Sequence, residues 1–239
     1  FRSVIASIMF GAMFLLLPVS SFPVLSKVFG GTSVAPLSVI PAIILVILLV
    51  LPTVFKYQLF SAQFKPLILF FLSALISTFF AFFRNMPSFR DTHFLKNAIE
   101  SVITLLMGFA FYYICAHFLT TEEKITKALQ WLNIGAIFMI VFSALQTVYI
   151  RTPVEFYPAW LGNLIYKTSS SGKIFPRRIS GFAFEPSWLA HQLNILYLPV
   201  WLGFSVKGYS VFKARLFKRF TVENLFLLAG IVMLFLSFS

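Results

Sequence analysis

Apolar residues run through this chain in blocks of about twenty, broken by short polar and basic stretches. A helix that crosses the roughly 30 Å hydrocarbon core of a bilayer needs about 20 mostly apolar residues. On that measure spanning helices are predicted at about 4–19, 34–55, 66–83, 98–119, 128–150, 187–206 and 223–239. The fold class that follows is all-α, a polytopic transmembrane helix bundle of about seven spans forming one domain over 1–239. The run after Arg2 has Val19 and Ser21 near its end, as at a signal-peptide cleavage site; the many later spans favour a first transmembrane helix. The last run is still apolar at Leu236-Ser237-Phe238-Ser239 and the chain opens on Phe1, so the sequence reads as the N-terminal part of a longer protein.

Composition agrees with lipid as the solvent. The chain is 59% hydrophobic and 11% charged, against about 25% charged residues in soluble domains. Net charge is +12, but the basic residues sit between apolar runs. That placement points to anionic lipid or a phosphate-bearing substrate and excludes nucleic acid as the expected partner. One cysteine, Cys115, excludes an internal disulfide, and the scattered histidines show no metal-ligand spacing. Lys207, Lys213, Arg215, Lys218 and Arg219 make the most compact basic loop, which places 207–219 and the N-terminus in the cytoplasm. Phe212, Leu216 and Phe220 recur there at helical spacing, predicting a basic amphipathic helix on the inner surface. The 120–127 loop and the 56–65 loop, with Lys56 and Lys65, then lie inside. The 84–97 loop, with Arg84 and Arg90, and the 151–186 loop lie outside. This leaves an unusual amount of positive charge outside.

The external loop 151–186 holds most of that charge. Phe156, Tyr157, Trp160, Leu161, Leu164 and Ile165 share a helical face, predicting a short interfacial helix. Thr168-Ser169-Ser170-Ser171-Gly172 reads as a flexible stretch. Arg177 to Asn194 follows as RRISGFAFEPSWLAHQLN, with Pro186 suited to the first turn of a helix. Ser187, His191 and Asn194 then fall on one stripe. Polar groups at membrane depth are expensive and usually face a protein interior or a wet cavity. Paired guanidinium groups suit bidentate binding of a phosphate or pyrophosphate, and Gly181 allows a tight turn or a close ligand approach. Taken singly, the arginines also serve as interfacial anchors, Glu185 as their ion-pair partner and His191 as packing. Their concentration on the outer side favours a site.

The segment RISGFAFEPSWLA resembles the motif region of the bacterial O-antigen ligase and O-antigen polymerase superfamily. The turn at Gly30-Gly31-Thr32-Ser33, followed by an apolar span with Pro36 and Pro41, is similar to that family's N-terminal pattern. The resemblance implies a GT-C-like, metal-independent membrane glycosyltransferase without a cofactor. Its donor would be a glycan on undecaprenyl pyrophosphate and its acceptor a glycan or lipid, at the outer face of the bacterial inner membrane. The implied catalytic residues are Arg177, Arg178 and Glu185. Arg151, Lys173, Gly181, Ser187 and His191 are the implied substrate-binding residues. Glu185 either orients an arginine or acts as a base toward the acceptor hydroxyl. The family's large later external loop has no counterpart within these residues. Two other functions fit the composition: a transporter or flippase of a lipid-linked or anionic substrate, and a non-catalytic subunit of a membrane complex.

Overall fold

The computed structural model describes residues 2–29, 33–50, 52, 64–84, 94–217 and 220–238. Lys56, Arg90, Lys218, Arg219 and the Gly30-Gly31-Thr32 turn lie outside them. Among the described residues the chain is helical, apart from one small hairpin. In order it forms α1 (Arg2–Leu15), α2 (Pro23–Val28), α3 (Val39–Leu45), α4 (Lys65–Ala81), α5 (Phe94–Phe118), α6 (Glu122–Tyr149), α7 (Ala159–Thr168), α8 (Pro186–Gln192), α9 (Leu198–Lys207), β1 (Arg215–Phe217), β2 (Phe220–Thr221) and α10 (Val222–Phe238).

The helices fall where the apolar runs predict them, but not at the predicted lengths. Among the described residues two, α5 and α6, are long and apolar enough to cross a membrane, where the sequence predicts about seven. Proline accounts for part of the difference. Residues ahead of a proline are pushed out of the α region, and α1 stops at Leu15, ahead of Pro18. Leu193–Tyr197 is a wide turn with i→i+5 hydrogen bonds, joining α8 and α9 into one helical run over 186–207. Pro199 has no N–H and its ring crowds the carbonyl four residues back, which accounts for the widening.

Contacts group the chain into two compact units, 1–9 with 41–120 and 10–40 with 121–239. In the first, α4 and α5 meet through ring pairs such as Phe71–Phe109, at 5.3 Å between centroids. Helix α4 buries none of its side chains, and Leu69, Phe70, Ile76, Phe79 and Phe80 are exposed.

The second unit has the larger core. It is built from Leu132, Ala136 and Met139 of α6, Leu189, Leu193, Tyr197 and Trp201 of the 186–207 run, and Met233 of α10. Helix α6 starts at Thr121, whose hydroxyl accepts the Lys124 N–H at 3.4 Å, with Glu122 and Glu123 favourably placed in the first turn. Helix α1 packs very close to it: a Cβ added at Gly135 would lie 2.5 Å from the Leu15 carbonyl oxygen. Helix α9 ends at Gly208, whose φ of 59° is the left-handed cap that glycine adopts without strain.

Two local expectations are overturned here. The described residues of the basic segment after Gly208 form no amphipathic helix: Arg215–Phe217 is β1 and pairs with β2. The cause is Glu223, fully buried at the start of α10, whose Oε1 accepts the Val211 N–H at 2.9 Å and the Ser210 hydroxyl at 3.1 Å. That clasp folds the loop back before it can wind. The serine stretch after Thr168 is pinned rather than flexible. Ser170 meets Ser21 through both hydroxyls, its N–H donates to the Ser21 carbonyl at 2.8 Å, and Ser169 is buried.

Candidate functional site

The segment 151–186 is built onto the C-terminal end of α6. Helix α7 buries Leu161 and Ile165 against Phe142, while Phe156 and Trp160 of the same expected face stay exposed. The helix therefore packs on protein with one edge and leaves its large aromatics outside. Phe182 stacks on Phe142, with centroids 4.3 Å apart and planes at 5°. This fixes the strand of loop that leads into α8.

Between these anchors the backbone is closely held. Ile179 is buried and donates its N–H to the Leu236 carbonyl at 3.3 Å. The next two N–H groups, of Ser180 and Gly181, both donate to Oε1 of Gln146, at 3.1 and 2.9 Å. Gly181 has φ 55°, and a Cβ there would stand 3.1 Å from the Ser143 hydroxyl. Glycine thus serves the turn and the close approach that the sequence predicts, although what approaches is α6. Ser143 and Gln146, one turn apart on α6, were not singled out from the sequence. Their signal was two polar positions at i, i+3 in an otherwise apolar run.

Arg177 and Arg151 line one cavity of about 470 Å³, together with Ile150 and Leu236 among the described residues. Arg151 follows the C-terminal end of α6. Arg177 sits on a left-handed backbone, φ 61°. Both arginines are exposed and share this space with apolar Ile150 and Leu236; two guanidinium groups so placed can bind a dianionic group bidentately.

The other predicted residues are placed as follows. Arg178 and Lys173 are exposed and are not among the described residues lining the cavity. Glu185 is half-buried, in extended conformation at the N-cap of α8; its carboxylate caps nothing and makes no ion pair with a described residue. Ser187 and His191 are exposed, as is Asn194, so the stripe faces outward rather than into the core. Tyr157, beside this region, has its phenol pushed above the usual tyrosine range by burial. No group of three or more acidic, histidine or cysteine side chains suited to a metal occurs among the described residues.

Compared with known proteins, the chain matches no family model, no curated sequence and no solved structure.

Proposed function

We propose that this chain is a membrane glycosyltransferase that polymerises or ligates undecaprenyl-pyrophosphate-linked glycans at the outer face of the bacterial inner membrane. The observation that carries the reading is the cavity that Arg151 and Arg177 line together. Further support comes from the resemblance of the RISGFAFEPSWLA segment to the O-antigen ligase and polymerase superfamily. The apolar side chains exposed along α4 suit lipid contact. In this reading α5 and α6 cross the bilayer, with 207–219 cytoplasmic and 151–186 external.

The chemistry follows from charge. The acceptor hydroxyl oxygen attacks the anomeric carbon of the donor glycan. The bond from that carbon to the pyrophosphate oxygen breaks, and undecaprenyl pyrophosphate leaves with the electron pair. Arg151 and Arg177 meet the negative charge that grows on the leaving group. The acceptor proton passes to a base, for which Glu185 is the nearest candidate in the motif. Arg178 and Lys173 add positive potential that draws the donor to the cavity.

The test supplies a lipid-pyrophosphate glycan to the purified protein and to its Arg177→Ala, Arg178→Ala and Glu185→Ala variants. Transfer by Arg177→Ala falls about a hundredfold or more, with Arg178→Ala less affected. If all three variants transfer glycan at the wild-type rate, the site is misassigned.

The wide turn at Leu193–Tyr197 favours a second reading, a transporter or flippase of a lipid-linked or anionic substrate, because interrupted helices often line transport sites. Movement of an intact lipid-linked glycan across sealed vesicles, with no new glycosidic bond, would select it.

A further inference from the structure

We infer that Gln146 is the positioning residue of the arginine cavity, an inference that rests on the anion-binding reading of that cavity. Helix α6 places both arginines. Arg151 lies just beyond its C-terminal end, and Gln146, one turn before Ile150, reaches the other side through the Ser180–Gly181 turn.

Gln146 holds the turn directly. The residue is 5% exposed, and its side-chain oxygen receives two consecutive backbone N–H groups. Consecutive N–H groups converging on one point make a concavity of the kind that binds anions. Here a neutral amide oxygen fills it, so no charge competes with the guanidinium groups nearby. Arg177 lies three residues before Ser180, and the tie of Gln146 to that turn acts together with the Ile179 N–H bond to the Leu236 carbonyl in setting the backbone of Arg177. Without that tie Arg151 and Arg177 would no longer hold a common distance. Outer-shell partners that orient metal ligands affect affinity about 10–100-fold, and an effect of that order is expected for a partner that orients an anion-binding arginine.

The experiment uses the full chain in nanodiscs and inorganic pyrophosphate as the probe. Four proteins are compared: wild type, Arg177→Ala, Gln146→Met and Gln146→Asn. Methionine keeps the volume and removes the acceptor. Asparagine is the milder variant, keeping the amide but drawing the oxygen back by one methylene. Hydrogen exchange at Ser180 and Gly181 is followed alongside binding. Expected results are pyrophosphate binding by the wild type, its loss in Arg177→Ala, and a fall of about tenfold or more in Gln146→Met. Gln146→Asn falls between, and both Gln146 variants lose amide protection at 180–181. If wild type and Arg177→Ala bind pyrophosphate equally, the anion reading fails and the inference with it. If Arg177→Ala loses binding while both Gln146 variants bind like wild type, the cavity reading stands and the role of Gln146 is overturned. A lower unfolding temperature with unchanged affinity is that second outcome: a merely structural residue.

Discussion

Arg177 holds a left-handed backbone that costs a non-glycine residue about 1–2 kcal/mol. Such strain persists where the surroundings over-determine it, and it gathers at functional sites. Glycine at this position would relieve the strain and remove the guanidinium together. Arg177→Gly is therefore expected to unfold at the same or a higher temperature than Arg177→Ala while transferring no more glycan than it does. Thermal unfolding and the transfer assay on the two variants check this. An Arg177→Gly protein less stable than Arg177→Ala would show that the left-handed conformation carries no strain. The two arginines and Gly181 were legible in the sequence because charge and glycine are conspicuous in an apolar chain. Gln146 was not, because its meaning depends on N–H groups 34 and 35 residues away, and no local pattern marks that partnership.

At the scale of elements, close packing in the second unit turns on single atoms. Trp201 of α9 is fully buried, and its indole N–H donates to Oδ1 of Asn133 on α6 at 2.9 Å. Its ring also fills the space above Gly230 of α10, where an added Cβ would meet it at 2.6 Å. Trp201→Phe keeps an aromatic ring but leaves the Asn133 oxygen without its donor, a loss of about 1–3 kcal/mol. Combining it with Asn133→Leu replaces both polar partners by apolar groups and is expected to restore most of that loss. Thermal unfolding of the two single variants and the double checks the coupling. An additive double variant would show that the bond contributes nothing. Positions of the helices were legible, since apolar runs of this length announce themselves. Their ends were less so. Proline at 18 and 199 shortens or widens helices that hydrophobicity alone would carry on. The hairpin after Gly208 was hidden for another reason: Phe212, Leu216 and Phe220 do recur at helical spacing, but a buried carboxylate thirteen residues from Ser210 outcompetes that pattern.

For the whole molecule, the orientation is open to direct labelling. In a Cys115→Ala background, Asn163→Cys in α7 is expected to react with an impermeant maleimide on intact cells. Lys127→Cys, at the opposite end of α6, is expected to react only after permeabilisation. Labelling of both from the same side would overturn the proposed topology. The all-α class was legible from composition, since so little charge leaves helices as the simplest way to satisfy the backbone in lipid. The long-range ties were not. Ser20 receives the Phe184 N–H at 2.9 Å, Ser21 meets Ser170, and the Leu17 carbonyl takes the Gln192 side chain at 3.1 Å. Each joins the first turn of the chain to a part made more than a hundred residues later. During synthesis, at about 5–20 residues per second, the early segment therefore waits roughly ten to thirty seconds for its partners to emerge. Until then the hydroxyls of Ser20 and Ser21 lack the partners they have in the fold. A ribosome stalled before residue 170 would leave that segment made but unlatched.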